Sequence, residues 1–257
     1  MDKKLSAHTN ANRTGKIPRV YLMARSLCLN TLIALDTLIF CGWTAIVVLI
    51  LRKKGNQTCC LVERPWARFI IWVCGIKGKI TGTENVHKDT AYIFMSNHQS
   101  FFDIFILTAH IPVPFKFVLK NELMKIFPLG PAMKLAGHAG IDRKNPKSAL
   151  NSLKTIAKKI QNGTSFLIFP EGTRSDDGHL NTFKKGGFTL ALKSGCDIVP
   201  VIIKGTRHIV PKGSLKIMKS DFELHIGNPI KAKGYRKQNI HELMDKTRNS
   251  MVKLLEA

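Results

Sequence analysis

The chain has 257 residues, enough for one sizeable core and a small appendage, and it carries a formal net charge of +23. That excess points to an anionic partner surface: a membrane face, a phosphorylated substrate or nucleic acid. None of the six cysteines forms a CxxC pair, which argues against a zinc ribbon or a dithiol redox motif and for reduced structural thiols, as in a cytosol-facing protein.

Residues 1–19 are polar and basic and read as a tail. From Leu27 to Leu51 the chain is mainly apolar and long enough to span a hydrocarbon core of about 30 Å, with Asn30 and Asp36 as polar interruptions. Basic residues flank the run on both sides (Arg13, Lys16, Arg19 and Arg25 before it, Arg52, Lys53 and Lys54 after it), so the positive-inside rule gives no orientation. A second apolar stretch, Trp66 to Ile76, follows Pro65, which suits a first helical position. Two arrangements fit: a helical hairpin set in one leaflet, or a single span at Leu27–Leu51. No small-residue cleavage pattern follows the first run, which argues against a removed signal peptide.

Ile80 closes a short strand. Ala91–Met95 reads as a buried strand, and it turns abruptly into Ser96-Asn-His-Gln-Ser100 before an apolar helix to about His110, stopped by Pro112 and Pro114. A strand, a polar turn and a helix start make a junction where catalytic groups often sit. On one helix His98 and Asp103 would lie about 140° apart. They meet only if His98 lies in the turn and Asp103 in the first helical turn; the imidazole could then take a proton while the carboxylate holds its other nitrogen. Ser100-x-x-Asp103 equally matches a capping box.

Phe115–Leu119 is the next strand, followed by Lys120-Asn-Glu-Leu123 and a glycine-containing segment from Gly137 to Arg143. His138 reads as structural. Arg143 reads as surface charge or as one half of an ion pair with Asp142 or a neighbour. Pro146–Gln161 is an amphipathic helix, with Gly163 just past its end. Thr164–Phe169 reads as a buried strand that delivers Pro170-Glu-Gly-Thr-Arg-Ser175 at its carboxyl end, the edge where α/β sheets gather ligands. Gly172 lets backbone approach a ligand, and Arg174 offers a planar fork to a phosphate monoester. Glu171 could position a hydroxyl or fix Arg174. A helix to about Ser194, a strand from Asp197 to Lys204, a strand Phe222–Ile226 and a helix Asn239–Glu256 complete the chain. Strands alternating with helices predict an α/β domain with a mostly parallel sheet flanked by helices.

NHxxxxD at Asn97–Asp103 followed by FPEGTRS at Phe169–Ser175 resembles the glycerolipid acyltransferase family, most closely its 1-acylglycerol-3-phosphate (lysophosphatidic acid) acyltransferases. The likeness covers roughly Ile76 to Gly205. It implies His98 as general base with Asp103 as its partner, and substrate contacts at Lys120, Glu171, Gly172, Thr173 and Arg174, with Asn97, Arg143 and Lys184 as further candidates. It implies an N-terminal membrane-anchoring helical hairpin within residues 1–75, a catalytic domain over 76–257, and an active site facing the cytoplasm at an anionic bilayer surface. The donor would be acyl-CoA or acyl carrier protein as co-substrate, with no cofactor, no metal and no nucleic acid. Rival acceptors are glycerol 3-phosphate, a lysophospholipid or a lyso-aminolipid. A non-catalytic basic protein that binds membranes or nucleic acid would explain the charge but not the two motifs.

Overall fold

The computed structural model describes residues 19–52 and 56–256. The tail expected before Arg19, and Lys53 and Lys54, lie outside them. Helix α1 runs Arg19–Ala45 and is prolonged by a π-helical turn, Ile46–Ile50. A short helix α2 (Asn56–Thr58) continues through a second π-helical turn, Cys59–Glu63, into α3 (Arg64–Cys74). Pro65 follows the π-helical turn, near the start of α3, and Gly75 ends the helix in the left-handed region at φ 67°.

The rest is a seven-stranded sheet in the order β1-β7-β6-β2-β5-β3-β4. The strands are β1 (Gly78–Thr81), β2 (Ile93–Ser96), β3 (Phe115–Lys120), β4 (Ala139–Ile141), β5 (Ser165–Ile168), β6 (Ile198–Lys204) and β7 (Phe222–Ile226). All neighbours are parallel except β6 and β7. Helices α4 (Phe102–His110), α5 (Leu129–Leu135), α6 (Pro146–Gln161), α7 (Lys185–Ser194), α8 (Thr206–Ile209) and α9 (Ile240–Glu256) connect and cover it. The expected α/β architecture is the one observed.

Strands β2 and β5 are buried at every position, which is why they read as continuous apolar runs. Their side chains still alternate between two cores. Phe94 and Leu167 face a cluster that holds α3 and α4 residues such as Ile70 and Ile106, whereas Met95 and Ile168 face Ile156, Phe188 and Leu243 of α6, α7 and α9. Phe94 pairs with Leu167 and Met95 with Ile168 in register, so the two strands release their chains side by side at the carboxyl edge. The two sequence motifs begin at those two strand ends.

The expected boundary at residue 75 marks a change of chemistry rather than a seam in the packing. Ala67, Ile70, Ile71 and Cys74 of α3, with Leu29 of α1, are buried in the same cluster as Phe94, Leu107 and Val199. The other half of α1 packs through Phe40 and Cys41 on Ala132 of α5. A buried polar group ties the segments together: Lys116 of β3 bonds Glu63 and Thr58, and His138 Nε2 lies 3.5 Å from Glu63. His138 Nδ1 accepts from the Phe117 N–H at 2.9 Å, so the ring proton sits on Nε2, facing Glu63. Burial holds His138 below its ordinary value, against the pull of Glu63 in the other direction. Burial pushes the Glu63 carboxyl up, but His138 and Lys116 more than offset it and lower it to about 2.

Candidate active site

The turn after β2 is shaped by its polar side chains. Asn97 is buried; its amide donates to the Ile203 carbonyl and accepts from the Ile203 N–H, both at 2.8 Å, and so continues the sheet ladder onto β6. Ser100 Oγ donates to the Val210 carbonyl at 2.9 Å. Asn97, expected as a further substrate contact, therefore spends its amide on the scaffold.

His98 and Asp103 meet as the turn-and-helix geometry required. His98 Nδ1 donates to Asp103 Oδ2 at 2.7 Å. The same oxygen accepts from the backbone N–H groups of Gln99 at 2.6 Å and Ser100 at 2.8 Å. Asp103 is fully buried, so it both caps α4 and orients the imidazole; the two readings offered by the sequence are one device. With its proton on Nδ1, the ring keeps a free lone pair on Nε2, and no described residue bonds that nitrogen. The ring stacks on Phe169 at 4.0 Å and keeps 16% of its side-chain surface exposed.

The second motif is fastened to the same residue. The His98 N–H donates to Glu171 Oε1 at 3.0 Å, and the Ser175 N–H donates to the His98 carbonyl at 2.8 Å. Glu171 Oε2 accepts from the Asn181 N–H at 2.8 Å. Glu171 is thus a buried fastener and neither pairs with Arg174 nor presents a free oxygen to a hydroxyl. Burial raises its carboxyl above the usual range, partly offset by the two backbone donors.

Arg174 lies with its guanidinium 4.1 Å above the Phe101 ring. Its Nη1 is buried with no hydrogen-bond partner, and no carboxylate among the described residues pairs with it. A half-buried guanidinium held over a ring with one N–H unsatisfied has the chemistry to receive an anion. Thr173 beside it is exposed. Lys120, at the carboxyl end of β3, is exposed and 3.3 Å from Glu122.

Arg143 donates to the Gly172 carbonyl rather than pairing with Asp142, whose carboxylate instead accepts from the Lys144 N–H. Gly172 has φ +78°, and a Cβ there would sit 3.1 Å from both Arg143 and Lys184. Arg143, Lys184 and Gly172 therefore gather at one cleft of about 320 Å³, walled by Ile168, Phe169 and Leu153. On the other side of the sheet lies an apolar cavity of about 330 Å³, lined by Phe101, Phe102, Phe117 and Leu119 near the motif turn and by Ile33, Phe40 and Trp66 further in.

The ring contacts of Phe101 and Phe169, and the pairing of Lys116 and Glu63 with His138, were not drawn from the sequence, which read His138 only as structural. An aromatic residue within each motif, and a lysine inside the apolar strand Phe115–Val118, were the available signals.

An acyltransferase family model matches residues 77–204. The chain is 34% identical over 187 residues to a 1-acyl-sn-glycerol-3-phosphate acyltransferase of Pseudomonas aeruginosa, covering 71% of this chain and 72% of that protein. It is 40% identical over 168 residues to a chloroplastic enzyme of the same name from Arabidopsis thaliana, covering 65% of this chain and 46% of the relative. Against such plant relatives the chain spans about half their length. The crystal structure of the 1-acyl-sn-glycerophosphate acyltransferase PlsC from Thermotoga maritima superposes with a TM-score of 0.79 at 24% identity, over 93% of this chain and 98% of that one, and so shares its fold. With both motifs in place on that fold, the chain belongs to the acyltransferase family that includes these 1-acyl-sn-glycerol-3-phosphate acyltransferases.

Proposed function

We propose that the protein transfers an acyl chain from an acyl thioester to the sn-2 hydroxyl of 1-acylglycerol 3-phosphate, giving phosphatidic acid. The observation that carries this reading is the oriented His98–Asp103 pair, with Nε2 unbonded, fastened through its backbone to the loop that presents the unpaired Arg174. His98 Nε2 accepts the hydroxyl proton as the oxygen attacks the thioester carbonyl. Collapse of the tetrahedral intermediate breaks the C–S bond, and the same nitrogen returns the proton to the leaving thiolate. Asp103 holds the ring in place and stabilises the imidazolium. The hydroxyl is itself the nucleophile, so the reaction calls for no acyl-enzyme, resident cofactor or metal. The donor is acyl-CoA or acyl carrier protein.

Arg174, with Lys120 at the same sheet edge, takes the phosphate, whose charge near neutral pH approaches two. The apolar cavity suits an acyl chain. Helix α1 with its extension is long and apolar enough to cross a membrane. Its packing favours an in-plane position instead: Arg25 bonds the carbonyls of Cys74 and Ile217, and Phe40 packs near α5, so the catalytic domain accompanies the helix along its length. The hairpin of α1 and α3 is then set in one leaflet, the site facing the cytoplasm.

The test follows free thiol release by purified protein with lysophosphatidic acid, 1-acylglycerol or a lysophospholipid as acceptor, each with acyl-CoA and acyl carrier protein donors. Release with lysophosphatidic acid that is lost in His98→Ala supports the reading. Thiol release favouring another acceptor would reassign the substrate, and no release with any pair would leave a non-catalytic binding protein.

A further inference from the structure

We propose that two loops of the catalytic domain, Leu123–Phe127 and Leu215–Met218, enter the bilayer beside α1, so that the apolar cavity opens into hydrocarbon rather than water. The proposal rests on the membrane reading above and extends it to parts of the chain far from the hairpin.

Both loops turn large apolar side chains outward. Phe127 is 85% exposed, Leu215 75%, Ile126 50%, and Leu123 and Met218 41% each. Soluble surfaces rarely gather so much apolar area without a partner. Lysines interleave with these residues: Lys125 in the first loop, Lys216 in the second, and Lys212 and Lys219 flanking the second, all exposed. Apolar side chains set among lysines match an interface whose acyl region lies under anionic headgroups. The same lysines oppose the alternative of a second copy seated here, because a two-fold contact would bring them against their own images.

The second loop is bound to the membrane helix itself. Asn30 donates to the Leu215 carbonyl at 2.8 Å, Arg25 donates to the Ile217 carbonyl at 2.7 Å, and Ser26 accepts from the Ile217 N–H at 3.1 Å. Ile217 points inward and is buried, which turns Leu215 and Met218 outward on either side of it. On α1 the neighbouring Leu27 is 71% exposed, so the apolar surface continues from helix to loop. Leu123, Leu215 and Phe101 also line the apolar cavity, to which α1 contributes Ile33. An acceptor lipid could reach His98 without leaving the bilayer.

The experiment uses the full chain in vesicles of phosphatidylcholine with phosphatidylglycerol. Phe127→p-benzoylphenylalanine and Met218→p-benzoylphenylalanine are each irradiated, with Lys158→p-benzoylphenylalanine on α6 as the distant control. Lipid adducts at 127 and 218 but not at 158 are expected; absence of lipid adducts at both, or chain-to-chain adducts in their place, overturns the proposal. In parallel, Phe127→Glu with Met218→Glu should lower turnover of a bilayer-presented acceptor about tenfold. Turnover of a water-soluble short-chain acceptor should stay unchanged. Equal loss on both acceptors, or no loss on either, overturns it. Failure of the functional reading is distinguishable: wild type would then turn over neither acceptor, while the lipid adducts still decide the location.

Discussion

Asp103→Asn separates the two jobs that one carboxylate oxygen performs. In the native protein Oδ2 accepts from His98 Nδ1 and from two backbone N–H groups of the turn that leads into α4, all within 2.8 Å, while Oδ1 is buried without a partner. An asparagine that turns its oxygen to those donors keeps the shape but loses the charge. Bonds to charged groups contribute about 1.5–3 kcal/mol and neutral ones about 0.5–1.5, so the two backbone bonds together weaken by about 2 kcal/mol. The amide NH2 then occupies the unpartnered position, which costs about 1–3 kcal/mol more. For a chain of this size each kcal/mol lowers Tm by about 2–4 °C, so a fall of at least about 6 °C is expected. His98 also loses the anion that stabilises its protonated form, and kcat should fall about 10²–10⁴-fold. Thiol release and thermal melting, both in detergent micelles, read the two effects. His98→Ala keeps the two backbone bonds and loses one, so it should lose activity while melting between wild type and Asp103→Asn. The double variant should be no slower than His98→Ala yet as unstable as Asp103→Asn. Asp103→Asn with a lowered Tm and near-native kcat would refute the catalytic role; lost activity with unchanged Tm would refute the cap.

Glu171→Gln points an amide donor at either the His98 or the Asn181 N–H, and should cost about 1–3 kcal/mol in the melting midpoint together with a lower kcat. Because burial raises the Glu171 carboxyl, its contribution to stability is fully present below about pH 4.5 and fades as pH rises through the raised value; the glutamine variant should lack that slope in melts taken across mildly acidic pH. Arg174→Ala should raise KM for the phosphorylated acceptor at least about tenfold with little change for the donor, and Arg174→Lys should recover only part of this because the planar fork is gone; equal effects on lysophosphatidic acid and 1-acylglycerol would remove the phosphate from this site. Lys116→Met strands the Glu63 carboxylate and should destabilise by about 3–5 kcal/mol, largely recovered when Glu63→Gln is added. Since Glu63 is lowered to about 2, its stabilising effect is present above about pH 4.5 and is lost as pH falls toward 2, a loss the double variant should not show in acid melts. A chain lacking residues 1–75 should fail to melt cooperatively, because Ile70 alone contributes roughly 1.5–3 kcal/mol to a core it shares with the sheet.

Local signals placed most elements well. Helix α6 has the bounds its sequence indicates, because Asn145 caps it, Pro146 opens it and Gly163 follows it. The strands under both motifs fall within a residue or two of their apolar runs, and His98 and Asp103 were legible because their geometry is settled within six residues. The scaffold roles were not. Asn97 finds its partner 106 residues away, Glu171 reaches back 73, and Lys116 reaches 53 to Glu63. Each is a polar side chain whose duty is set only by which strand lies alongside, and residue type cannot separate a fastener from a ligand. The same limit applies to β7: FELHI announces a strand, but not that it runs antiparallel to β6 while pairing in parallel with β1.

That last pairing bears on how the protein is made. Strand β1 touches the sheet through β7 alone, and β7 leaves the ribosome about 140 residues later. At ordinary elongation rates the gap lasts on the order of ten seconds. During it, β1 has no partner at all and β6, when it emerges, is open along its outer side, so two strand edges face solvent at once. A nascent chain stalled between Lys204 and Phe222 would have the whole family-matched span in hand and still be an unfinished sheet. The arrival of β7 closes both edges in one step, by pairing with β1 on one side and β6 on the other.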